Sequence, residues 1–492
     1  MDLNPKILDA LFMEQKFYQI ILESENHGVC FDIVKAKEVH KNVCKDMADL
    51  EASILPQLPW MPIPKSRLKQ PPKVRFKING EPSALAFKYF DDLLVLDAGS
   101  DTWMVDYPKG TVGLAAADYP LVTHETPTLG NQAFIKQHLQ DKYKWKPEIW
   151  NYKKDASGKE VRVGKDKVKT SPRFNDAVSK ELCDDLKRLG DKVAFVKDII
   201  IWLTLRHRKN LLCSDNGTGL MRHPRLMTDG RLPASMDTLG ANTGRVQHKG
   251  VANIPAVGKL YGKELRELFT VPKGKVMVGW DAKGLEDRVK ANRTYKYDNG
   301  EFAEKVLDPE YDPHLENARI WDCDRSTAKS PYYALVYNCS EATFTRTLGC
   351  SKAEGQGYYQ AFWDLNYGLR DLGVKISEYY QKNKFVKGLD NRKLKVRSEH
   401  SLSNLVFQSD GAIIMKRATV ILMKKIKEST IHDKVNMVIW YHDELQFEAE
   451  PEAADMLVEL SLQSMREAGE YYKSKVPFEA DAQVGNNWAE CH

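Results

Sequence analysis

Three stretches of the chain carry residues whose types and spacing suit phosphoryl transfer. In Val276-Met277-Val278-Gly279-Trp280-Asp281-Ala282-Lys283-Gly284-Leu285-Glu286, an apolar strand ends on a carboxylate and turns at Gly284 into a helix. A charge at the mouth of a hydrophobic strand costs free energy unless a cation meets it. A metal ion does so when the carboxylate opens onto a cleft; taken alone, Asp281 reads as the N-cap of the next helix. Far down the chain, Val438-Ile439-Trp440-Tyr441-His442-Asp443-Glu444-Leu445-Gln446-Phe447 reads as a tight hairpin with acids at its tip. Two acid-tipped strands in one sheet suit two Mg²⁺ ions roughly 4 Å apart, one activating a hydroxyl and the other holding a leaving pyrophosphate.

Between them, Arg325, Lys329, Tyr333 and Tyr337 recur every four residues and share one face of a helix. The first three span about 12 Å, enough to run along a triphosphate and end under a base. Two cations answer the phosphates and a ring supplies a stacking platform; a solvated basic face with two half-buried tyrosines is the plainer reading. Upstream, Asp312-Pro313 looks like an N-cap with proline at the first helical position. His314 then adds a phosphate donor or is a surface histidine.

The elements that must position these groups are legible in outline. With 492 residues, 42% apolar and 29% charged, the chain reads as a soluble globular protein of several subdomains. Helices are expected over the first fifty-odd residues, broken at Asn26-His27-Gly28 and resumed from an Asp32 cap. Residues 56–126, rich in proline and glycine, read as a small insertion, with Lys73–Ile78 alternating into an Asn79-Gly80 hairpin. Helical pattern returns over Gln132–Leu139 and from Asn175 towards Leu212. Short strands follow Arg222, helices fill 298–395, and a long helix starts near Ser403. The last segment reads as strand-turn-strand, a helix over Glu452–Gly469 and a final strand.

The net charge of +5 does not by itself indicate nucleic acid, but Lys142–Arg173 interleaves eleven cations (Lys165 among them) with Tyr143, Trp145, Trp150 and Tyr152. That mixture suits phosphate contacts with stacking, or a solvated lysine face. The eight cysteines are scattered without a CxxC pair, which disfavours a zinc site or disulfide framework and fits a reducing, cytoplasmic setting. No secretory leader and no membrane span are expected.

The three stretches, in this order and spacing, resemble the motifs of family A DNA polymerases, with the nearest likeness to replicative polymerases of short-tailed bacteriophages. Thr243-Gly244-Arg245, Asn253-Ile254-Pro255, Gly388-Leu389-Asp390-Asn391-Arg392, Asn404, Gln408 and Asn487–His492 add to it. The likeness is specific from about Leu220 onward and loose before. It implies an α+β right-hand fold: thumb 1–225, palm 226–293 and 404–492, fingers 294–403. It implies a template-directed DNA polymerase, in a phage within the host-cell cytoplasm, acting on primer-template DNA and deoxynucleotides. Asp281 and Asp443 would bind both Mg²⁺ ions with the Ala282 carbonyl, while Glu444 and His442 support the site. Glu286 would exclude a ribose 2′-OH. His314, Arg325 and Lys329 would clamp the triphosphate, with Lys329 protonating pyrophosphate and Tyr333 stacking on the nascent pair. Arg245, Asn404 and Gln408 would reach the minor groove, with His442 also near the DNA. A single-subunit RNA polymerase, disfavoured by Glu286, and a catalytically silent DNA-binding replication subunit are the alternatives.

Two departures stand out. Pro331 falls inside the motif helix at a cost of roughly 3 kcal/mol, so the helix is either kinked there or begins near Ser330. The family also favours glycine where Ala334 and Asn338 stand. Residues 56–126 lie where phage relatives carry a thumb insertion for a processivity factor, thioredoxin-like in the best-known case; a plain exposed insertion fits as well. No acidic DxE cluster precedes the thumb-like helices, so no 3′→5′ exonuclease in cis is expected, and a separate exonuclease chain is a possible partner. The purified chain with Mg²⁺ is accordingly expected to leave end-labelled single-stranded DNA at full length over a time course; metal-dependent 3′ trimming would overturn this.

Overall fold

The computed structural model describes residues 5–70, 72–107, 110–114, 124–164, 166–175 and 182–491. They form two compact units, one of residues 1–42 with 208–492 and one of residues 43–207. The segment expected as one thumb, 1–225, is thus shared between them. Among the described residues no helix is long and apolar enough to cross a membrane.

The larger unit is built on a four-stranded antiparallel sheet. Its strands are β1 (Val276–Ala282), β2 (Val435–Tyr441), β3 (Glu444–Ala449) and β4 (Ala480–Gly485), in the spatial order β2-β3-β1-β4. Side chains alternate across a strand. Val278 and Trp280 of β1 pair with Phe447 and Leu445 of β3 and face the core, whereas Gly279 and Asp281 pair with Gln446 and Glu444 on the opposite face. Gly279 is obligatory there, because a Cβ would stand 2.7 Å from the carbonyl oxygen of Cys491. Gly284 takes φ +54 between β1 and the next helix, a left-handed turn that favours glycine.

The helices are α1 (Pro5–His27), α2 (Leu285–Thr294), α3 (Pro313–Ile320), α4 (Arg325–Val336), α5 (Leu402–Glu428) and α6 (Ala454–Tyr471), with further helices between Glu301 and Asn383. The long α5 is buried almost all round from Leu402 to Thr419, as expected of a helix enclosed by other elements. Trp440 of β2 ties the sheet to it through a 3.0 Å hydrogen bond from its indole N–H to Thr419 Oγ1. Phe17 of α1 meets Trp440 edge-on at 5.3 Å. Glu14 of α1 accepts from Lys416 of α5 (2.8 Å) and from Arg392 (2.6 Å), and the Lys416 side chain is fully buried. In this unit the expected helices and the 435–485 hairpin-helix-strand unit are present. The short strand Val29–Phe31 after α1 is an addition, paired with Arg231–Leu232 and Phe269–Thr270.

Residues 43–207 hold their own small core of Ala86, Phe90, Leu93, Val105 and Leu114. Three expectations change here. The Lys73–Ile78 hairpin reduces to a turn at Gly80 and one isolated bridge, Phe76 to Pro82, because proline has no N–H to extend the ladder. The helix expected from Asn175 starts later: residues 176–181 lie outside the described residues, and helices follow at Asp184–Lys192 and Ala194–Leu212, parted by extended Val193. Trp145 is not an open stacking platform either, being buried with its indole N–H on Asp185 at 2.7 Å. The other aromatics do carry cations, with Lys169 over Trp150 and Lys167 over Tyr152; Lys165 lies outside the described residues.

Removing Glu14 would strand the buried Lys416 ammonium. Glu14→Ala is expected to lower the unfolding free energy by about 3–5 kcal/mol in denaturant titrations, whereas Lys16→Ala, at an exposed position of the same helix, is expected to change little.

Candidate active site

Asp281 is the next-to-last residue of β1, and His442-Asp443 forms the two-residue turn joining β2 to β3. The Ala282 N–H donates to the Asp443 carbonyl at 2.9 Å and pins the hairpin tip to the end of β1. His442 sits at φ +56 to make the turn. Both aspartates open onto one cavity of about 450 Å³, walled also by Ala282, Glu286, Asp287, Lys329, Tyr333, Arg245, Gln408, His442 and His248. Sequence elements far apart are therefore brought to one place.

Glu444 lies beside Asp281 in register but does not line the cavity. Its carboxylate is buried against Arg266 at 3.2 Å and accepts from the Trp488 indole N–H at 3.2 Å. Arg266 in turn lies 4.4 Å over the Trp488 ring. Glu444 thus braces the hairpin from behind the cavity, a supporting position.

On the cavity wall Glu286 accepts a 2.8 Å hydrogen bond from the Tyr337 hydroxyl and a 3.0 Å bond from Gln408. Arg245 donates to the Gln408 side-chain oxygen, closing a row across α2, α4 and α5. Burial pushes the Glu286 carboxyl above its ordinary value. It pushes His442 down to about 4 and His248 down to about 3, so both imidazoles are neutral near pH 7. The His442 amide donates to His248 Nε2 at 3.4 Å. Sequence reasoning passed over His248, since a lone histidine in a loop carries no distinguishing pattern.

The helix carrying the cations runs unbroken from Arg325 to Val336 with Pro331 inside it, capped by Asp324 accepting from the Thr327 N–H. A start near Ser330 is thereby excluded. Pro331 is buried with Ala328, Tyr332 and Leu335 on the packed face, and tertiary packing offsets the lost amide bond. Lys329 and Tyr333 reach the cavity, and Tyr333 stacks on Tyr337 at 6.3 Å between centroids. Arg325 does not line it: its guanidinium pairs with Asp312, which also caps α3. His314 is no surface residue. It is buried, with its ring 5.3 Å from Tyr333. Asn404 lies one turn before Gln408 on α5 and off the cavity wall.

Among the described residues no cluster of three or more histidines, cysteines or acids suits a metal ion. Two aspartates and a backbone carbonyl are nevertheless hard oxygen donors of the kind Mg²⁺ takes when substrate phosphates and water complete its shell.

The sequence profile of DNA polymerase family A matches residues 159–490. The chain belongs to DNA polymerase family A. It is 30% identical over 295 residues to the DNA-directed DNA polymerase of Enterobacteria phage T3, covering 54% of this chain and 42% of that protein. The same figures hold for the DNA-directed DNA polymerase of Escherichia phage T7. The chain thus spans less than half the length of these two phage relatives. Its fold is similar to the POL domain of Pol1 from M. smegmatis, solved in complex with DNA primer-template and dNTP. The TM-score is 0.66 at 18% identity over 97% of this chain and 70% of that one. Asn338, where this polymerase family favours glycine, takes φ +65, a conformation asparagine tolerates.

Because the folded-state pKa of Glu286 lies above its unfolded value, its ionised form costs stability above the folded pKa. That cost disappears as pH falls below about 4.5, the ordinary value. Glu286→Gln is expected to unfold at higher denaturant than the parent at pH 7, and the advantage should vanish at pH 4.

Proposed function

We propose that the chain is a template-directed DNA polymerase that adds deoxynucleotides to a primer 3′-OH by two-metal-ion nucleotidyl transfer. The observation carrying this reading is the single cavity that joins Asp281 and Asp443 to Glu286, Lys329 and Tyr333. The same reading divides the chain as a right hand, with thumb 1–225, palm 226–293 and 404–492, and fingers 294–403. Asp281, Asp443 and the Ala282 carbonyl would hold two Mg²⁺ ions, which when bound lower the pKa of the 3′-hydroxyl and offset charge on the leaving group.

The remaining roles fall to side chains of the chain. Lys329 meets the triphosphate and donates a proton to the departing pyrophosphate oxygen. Arg325 and the buried His314, whose ring lies beside Tyr333, join Lys329 in clamping the triphosphate. Tyr333 offers a ring to the base of the nascent pair. Glu286, held rigid by Tyr337 and Gln408, occupies the space a 2′-hydroxyl would need. Arg245 and Gln408 offer donors to the N3 and O2 acceptors that every correct pair presents in the minor groove, and Asn404 extends this line along α5. A processivity partner docking on 56–126 and a proofreading chain acting separately are compatible with the same reading.

A primer-extension assay with Mg²⁺ tests it. Deoxynucleotides are expected to extend the primer and ribonucleotides to fail. Asp281→Ala should abolish extension, Lys329→Ala should slow incorporation by about 10²–10⁴-fold, and Glu286→Ala should admit ribonucleotides. Extension that survives Asp281→Ala would overturn the mechanism; ribonucleotide use by the parent would favour an RNA polymerase.

A further inference from the structure

Lys290 stands on α2 one turn beyond Glu286 and is 1% exposed. Its ammonium donates to Asn366 Oδ1 at 2.9 Å and to the Tyr332 hydroxyl at 3.3 Å, and lies 3.7 Å from the centroid of the Phe302 ring. Tyr332, also 1% exposed, donates in turn to Asp287 Oδ1 at 2.8 Å. The result is a buried polar bridge, Lys290 to Tyr332 to Asp287, between α2 and α4. Two apolar side chains of similar volume would join the helices with no desolvation penalty. What the polar bridge adds is direction, since hydrogen bonds fix the rotation of one helix on the other. Its position gives that rotation a consequence: Tyr332 lies between Lys329 and Tyr333 on α4, and Asp287 adjoins Glu286 on α2. Lys329, Tyr333, Glu286 and Asp287 all line the cavity, while Lys290 and Tyr332 lie behind its wall.

We propose that the Lys290–Tyr332–Asp287 bridge is a positioning device that sets α4 on α2, so that Lys329 and Tyr333 meet the incoming nucleotide in register with Asp281 and Glu286. This rests on the reading of the cavity as a nucleoside triphosphate site. Burial holds the Lys290 ammonium down at about 8; Asp287, Glu316 and Asp298 support the charged form and Lys305 opposes it. Glu301 and Tyr367 complete the groups around it, and Tyr332 is held protonated by burial. As pH rises through about 8 the amine loses its charge and the bridge weakens, so the device adds an alkaline limb to nucleotide use.

Lys290→Met and Tyr332→Phe test this by hydrogen–deuterium exchange of residues 325–336 and by steady-state single-nucleotide incorporation across pH 6.5 to 9.5. Both variants are expected to exchange faster in 325–336 while melting as cooperatively as the parent. Both should lose about tenfold in kcat/KM, mostly through KM, and Lys290→Met should lack the parent's alkaline limb near pH 8. Unchanged exchange in both variants, or an alkaline limb that persists in Lys290→Met, overturns the proposal. A parent that extends no primer overturns the nucleotide reading instead, and exchange alone then decides whether the bridge holds α4.

Discussion

Two carboxylates from distant parts of the chain must be held side by side, and the hydrogen bond from the Ala282 amide to the Asp443 carbonyl is where this is achieved. It joins the end of the central strand to the tip of the neighbouring hairpin. The register of β1 with β3 sends Trp280 and Leu445 into the core and leaves Asp281 and Glu444 on the other face. A slip of one residue would reverse both. Behind the pair, Arg266 and Trp488 fix Glu444 and keep the hairpin from shifting.

The second layer of control is the contact of α2 with α4 and α5. Glu286 is worth having on the cavity wall only if it keeps one position, and hydrogen bonds from Tyr337 and Gln408 give it one. The same carboxylate is destabilised by burial, so the site keeps a group that stability alone would discard. Pro331 illustrates the converse. Its local cost is absorbed because it lies on the packed face of α4, leaving Lys329 and Tyr333 directed at the cavity.

Much of this was legible in the residues. Apolar runs ending in Asp281 and in Asp443, the four-residue spacing of Arg325, Lys329 and Tyr333, and the periodicity of α1, α5 and α6 are local signals, set by strand and helix geometry. The placements that local pattern could not supply share a cause too. Arg325 was grouped with the cavity by helical spacing, yet Asp312 draws it outward. Trp145 was grouped with exposed aromatics, yet Asp185 lies within reach of its indole in the folded chain. Glu444 shares the hairpin tip with Asp443 and still faces a buried arginine. In each case the deciding partner is distant in sequence.

The sequence by itself determined the elements, the motif order and the residues able to do the chemistry, because propensity, capping and periodicity act within a few residues. Only the tertiary structure decided which of those residues face one cavity, that α1 packs with the sheet, that Lys290 is buried against Tyr332 and that His248 joins the cavity wall. Desolvation and side-chain pairing depend on what the fold brings alongside, and no local pattern encodes that.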